Sequence, residues 1–112
     1  MAVTNTQLVD NKQTTLADTP ESVYTSPPTQ KGTLITNFTA ANSTAIDRTY
    51  KAFIVTSGSA IIPLVPARTI LKGETDTPPE VAGQFMPASA QLYVETNAAT
   101  SISFTVSGRE IS

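Results

Sequence analysis

Glu74, Asp76 and Glu80 form the tightest local group of carboxylates in this 112-residue chain, and oxygen ligands this close in sequence are the raw material of a Ca²⁺ site. Their spacing does not follow the ligand pattern of an EF-hand loop, Pro78 and Pro79 stiffen the segment, and Lys72 sets a cation beside it. The segment reads as a solvated acidic loop. A carboxylate pair can also cleave a glycosidic bond, but it needs a sugar cleft around it, and three Tyr, four Phe and no Trp leave little to line one. Ser107-Gly108 invites a nucleophilic reading that fails for want of a Gly-x-Ser-x-Gly elbow between strand and helix. Gly108 reads instead as a bulge or turn where the last strand changes phase, because Val106 and Ile111 lie five apart and cannot share a face on an unbroken period of two.

The absences are as informative. Without His or Cys there is no Ser-His-Asp triad, no imidazole or thiolate metal ligand, no thiol nucleophile and no disulfide. The expectation is a protein that is not an enzyme, with no catalytic residue, cofactor or metal. A formal charge of −2, with 14% of residues charged, provides no basic stripe for nucleic acid. The opening Met1-Ala2-Val3-Thr4-Asn5-Thr6 lacks the basic and apolar regions of a secretory signal, and no stretch approaches the ~20 apolar residues of a membrane span. Asn37-Phe38-Thr39 and Asn42-Ser43-Thr44 match the glycosylation pattern and read as chance matches in a chain rich in Thr and Asn.

The elements that must carry these residues are strands. From Gln91 to Ile111 the pattern is most regular: Ile102, Phe104 and Val106 alternate with Ser101, Ser103 and Thr105, and Leu92 and Val94 alternate with Gln91 and Glu95. With Asn97 to Thr100 as the connection, the two arms are expected to pair as a β-hairpin, stacking Leu92 and Val94 beside Ile102 and Phe104. Upstream, Glu21–Ser26 reads as a short strand stopped by Pro27-Pro28. Thr33–Ala40 follows, with Leu34, Phe38 and Ala40 on the expected core face. Arg48–Thr56 carries apolar residues on both faces, as a central strand does. Beyond the Ser57-Gly58-Ser59 turn, Pro63 and Pro66 confine Ala60–Val65 to an edge or bend, Arg68–Leu71 reads as a separate brief strand, and Val81–Met86 is a last short apolar segment. Short strands divided by Pro and Gly, with no amphipathic helix, indicate an all-β fold, a small antiparallel β-sandwich or partly open barrel, over residues 21–112.

Residues 1–20 are polar and aperiodic and read as an extended N-terminal arm, either frayed or added as an edge strand to a neighbouring subunit. Its apolar anchors Val3, Leu8 and Val9 are candidate self-association or partner contacts. Tyr93 is a further candidate: it shares the polar face of its strand with Gln91 and Glu95, so it either packs under a second sheet or is an exposed contact residue. The other aromatics read as core or sheet-face residues.

Four segments, Val23-Tyr24-Thr25-Ser26-Pro27, Thr39-Ala40-Ala41-Asn42-Ser43-Thr44, Lys72-Gly73-Glu74-Thr75 and Val106-Ser107-Gly108-Arg109-Glu110-Ile111, together resemble a small β-sandwich type found among structural proteins of tailed bacteriophage virions. The likeness runs from about residue 21 to the end. It departs where Pro87-Ala88-Ser89-Ala90 stands in place of the usual Gly-Asp turn before the penultimate strand. The resemblance implies a non-enzymatic virion component, a capsid decoration, head-fibre, neck, collar or tail-associated protein. Its partners would be copies of itself and other virion proteins such as capsid, portal, neck or fibre proteins, with neither nucleic acid nor membrane among them. The alternative it leaves is a receptor- or carbohydrate-binding module of a phage fibre, with Tyr93 and Tyr24 as the exposed aromatics.

Overall fold

The computed structural model describes residues 5–111. Runs of β-branched and aromatic residues broken by Pro and Gly favour pleated structure, and every regular element among the described residues is a strand. In order these are β1 (Asn5–Gln13), β2 (Glu21–Thr25), β3 (Gly32–Asn42), β4 (Arg48–Val55), β5 (Ile61–Ile70), β6 (Thr75–Asp76), β7 (Phe85–Pro87), β8 (Gln91–Thr96) and β9 (Ile102–Ile111). One antiparallel sheet has the order β1-β9-β3-β6, with β7 also paired to β3; the other has the order β2-β8-β4-β5. We call these sheets A and B. They close on one shared core as a β-sandwich and do not form a barrel.

The expected hairpin is not formed. β8 pairs with β2 and β4 in sheet B, whereas β9 pairs with β1 and β3 in sheet A. Leu92, Val94, Ile102 and Phe104 are all fully buried, but they meet across the core from opposite sheets. The connection crosses the end of the sandwich. Thr49 accepts from the Asn97 N–H, Thr14 accepts from the Thr100 N–H, and the buried hydroxyls of Thr14 and Thr96 hydrogen-bond at 2.5 Å. Those bonds hold the turn against β1 and β4, and Thr100 takes a φ of 51° to complete it.

Residues 5–13 of the expected arm belong to the domain itself, as the edge strand beside β9, and Val9 enters the core at 4% exposure. Two register shifts let this polar segment lie on β9, the second with Asn11 at φ 51°, a conformation that Asn tolerates better than most residues. The core face of β3 also differs from expectation. A register shift between Ile35 and Asn37 inverts the alternation, so Thr33 and Ile35 are buried before it and Phe38, Ala40 and Asn42 after it, while Leu34 is only partly covered. Ala60–Val65 and Arg68–Leu71 fuse into the single edge strand β5, whose two shifts against β4 fall at Leu64, next to Pro63, and at Pro66.

Phe38, Tyr50 and Phe104, from β3, β4 and β9, form an aromatic centre between the sheets, with ring centroids 5.8 to 6.4 Å apart. β9 keeps its period of two from Ile102 to Gly108. The phase change expected of β9 at Gly108 is carried by its neighbours: β1 and β3 both shift register there. A Cβ on Gly108 would collide with the Leu34 carbonyl oxygen and Leu8 Cδ1, so the approach of three strands requires glycine. Truncating the central ring should be costly. Phe104→Ala is expected to lower unfolding free energy by about 3 to 5 kcal/mol in chemical denaturation, since the cavity it leaves is walled by two rigid sheets.

Candidate interaction surface

Most of the side chains with chemical potential are engaged with one another. Asp76 on β6 accepts a hydrogen bond from the buried Tyr50 hydroxyl at 2.6 Å and one from Arg68 Nη1 at 3.2 Å, while Arg68 Nη2 pairs with Glu80. The acidic loop is therefore partly neutralised by an arginine from β5, with only Glu74 fully turned to solvent. Among the described residues, no group of three or more potential ligands is placed to hold a metal ion. Burial pushes the Tyr50 hydroxyl well above its ordinary range, and the Asp76 carboxylate reinforces this. Burial works against the Arg68 charge, but Asp76 and Glu80 outweigh it and raise its pKa.

A second chain of hydroxyls ties the sheets elsewhere. Ser26, Thr33 and Tyr24 are linked in series, and Tyr24 donates to Glu110 on β9. Burial, then the Glu110 acceptor, pushes Tyr24 up to about 12. Tyr24 thus spends its hydroxyl internally. The Asn42-Ser43-Thr44 sequence is likewise structural: buried Asn42 donates to the Ile46 and Ile70 carbonyls and accepts from the Thr44 N–H and hydroxyl, an Asx turn joining β3 to the end of β5.

Of the expected contact residues, Val3 lies outside the described residues. Val9 is buried and Leu8 packs against the same core, so both serve the chain's own fold. Tyr93 behaves differently. Alternation on β8 and β4 sends Leu92, Val94, Ala52 and Ile54 inward and leaves Tyr93, Phe53 and Val55 on the outer face of sheet B. Register places them in rows: Ser22, Tyr93, Phe53 and Pro63 in one, Thr25, Gln91, Val55 and Ile61 in the next. Tyr93 and Phe53 stack at 5.5 Å with a 7° interplanar angle, both half-buried, and Ile61 is 65% exposed at the margin. On the other side of the stack lies Lys51 opposite Glu95, with Nζ 3.9 Å from Oε2.

Comparison with protein-family models, curated proteins and solved structures finds no match.

Sequence reasoning singled out Tyr93 but not Phe53, Pro63 and Ile61. The apolar residues on both faces of Arg48–Thr56 were the available signal for Phe53, but a central strand beneath another layer leaves the same trace. The middle of the outer face of sheet A contrasts with this surface, carrying Ser103, Thr105, Thr39 and Asn37, with Leu34 and the 47% exposed Phe85 at its β7 end.

The two raised tyrosines give a pH dependence with a definite sign. From about pH 10 upward the unfolded chain releases protons that folded Tyr24 and Tyr50 retain, so the stability they contribute is complete below that pH and is lost as pH rises toward 12. Urea midpoints measured at about pH 8 and about pH 11 should show this loss, and Tyr24→Phe should reduce its size.

Proposed function

We propose that this chain is a non-enzymatic structural protein of a tailed-bacteriophage virion, assembling in multiple copies on the capsid, neck or tail. The observation that carries an assembly role is the aromatic and aliphatic outer face of sheet B, on a protein whose acidic loop is tied up in internal bonds and whose sequence lacks His and Cys. A fully solvated sheet face normally carries polar residues at every second position, as the middle of the outer face of sheet A does at Asn37, Thr39, Ser103 and Thr105. The virion setting is supported by the resemblance of the segments at Val23–Pro27, Thr39–Thr44, Lys72–Thr75 and Val106–Ile111. Partners would be further copies and other virion proteins, held by burial of this face and by loops at the sandwich ends.

The alternative of a carbohydrate-binding fibre module is less favoured by the same geometry. A sugar platform needs open ring faces, whereas Phe53 and Tyr93 each cover part of the other's face. Mass spectrometry of purified particles should find the chain in many copies. Phe53→Ser/Tyr93→Ser should fold with its denaturation midpoint little changed, because both side chains point away from the core, yet fall to about a tenth or less of wild-type particle occupancy. Particles devoid of the chain would overturn the virion reading. Glycan binding lost on Tyr93→Ala would favour the fibre module.

A further inference from the structure

We infer that the outer face of sheet B is a self-complementary surface whose occupant is the same face of a second copy, related by a two-fold axis. The axis lies in the interface plane, along the strands and between β4 and β8. The inference rests on the assembly reading above and adds to it the identity and geometry of the contact.

Charge and register select this arrangement. In the rows through Ser22, Tyr93, Phe53 and Pro63 and through Thr25, Gln91, Val55 and Ile61 no residue is charged; the adjoining pair, Lys51 on β4 and Glu95 on β8, holds two opposite charges at the same level. Rotation about an axis running between these strands exchanges their positions without shifting the level along them. Each copy's Phe53 then faces the other's Tyr93, and each copy's Lys51 faces the other's Glu95. A two-fold axis across the strands at the level of Phe53 and Tyr93 would instead lay Lys51 over Val55 and bury a charge on an aliphatic side chain, which is costly. The charge pattern therefore selects one orientation, and it satisfies the requirement of isologous contacts that residue i meet j while j meets i.

Within one chain the Lys51–Glu95 contact is long at 3.9 Å and the lysine side chain is 51% exposed against 20% for Glu95, so the ammonium can also reach a second carboxylate. Aligned packing of the two faces needs only the twist angle of about 30° usual between stacked sheets. A standard interface takes ~800 Å² from each partner, about one-seventh of the 5681 Å² surface of this chain.

Charge reversal on the full-length chain tests this by light scattering or sedimentation. Wild type should show a mass of two chains, or a multiple of two. Lys51→Glu and Glu95→Lys, each alone, set like charges opposite one another twice per dimer and should weaken association about tenfold or more. Mixing the two variants should restore it, because a Lys51→Glu copy against a Glu95→Lys copy has both cross-interface pairs opposite in sign. A purely internal salt bridge would not produce that rescue in the mixture. Association by wild type that neither reversal weakens would overturn this inference and leave the assembly reading standing. A wild-type monomer at high concentration would also overturn it, and if that monomer is absent from particles the assembly reading falls as well.

Discussion

The contact of three rings at the centre of the sandwich governs the rest of the structure. Phe38 and Phe104 come from sheet A and Tyr50 from sheet B, so the cluster exists only when the two sheets are stacked in one alignment. Tyr50 adds a constraint the phenylalanines do not. Its hydroxyl is carried into the interior and needs a partner, which Asp76 supplies from the short strand β6. Asp76 in turn holds Arg68 on β5, and Arg68 holds Glu80 in the loop that follows β6. One buried phenol thus connects the core to the segment that begins as a chain of acidic residues and prolines.

The same logic explains why the titratable groups do not gather into a reactive site. Each sheet ends in polar groups that stacking would strand away from water, and the chain satisfies them with side chains from the opposite sheet. Asn42 bonds the end of β5, Thr14 meets Thr96, and Tyr24 reaches Glu110. Such links specify the alignment of the layers, since a buried donor or acceptor left unpaired costs more than the bond itself contributes. A continuous apolar surface lies instead on the outside of sheet B. Its Phe53–Tyr93 stack lies behind the core residues Ala52, Ile54, Leu92 and Val94, so the rigid centre also fixes the shape of the outer surface.

Much of this was legible in the residue pattern. Alternation identified β9 and its buried stripe, two prolines placed β5 at an edge, and apolar residues on both faces marked β4 as internal. Tyr93 stood out because an aromatic shared a strand face with Gln91 and Glu95. The failures share a cause. A period of two states which side chains face the core, not which strand lies alongside, so β8 and β9 gave the same signature as a hairpin that they give as strands on opposite sheets. A bulge is equally silent: the extra residue near Thr36 moved Ile35 to the core face although its spacing from Phe38 argued otherwise.

By itself, then, the sequence determined the all-β class, the positions of most strands and a chemistry without imidazole or thiol, because these depend on residue type and on periodicity along a few neighbours. Tertiary structure alone decided that residues 5–13 close the edge of sheet A, that Arg68 takes Asp76 and Glu80, and that Phe53, Tyr93, Pro63, Lys51 and Glu95 share one surface. Those outcomes join residues up to about a hundred positions apart, such as Asn5 and Arg109. Pairing at that distance is chosen by how all the strands bury their faces at once, a competition that no local stretch of residues records.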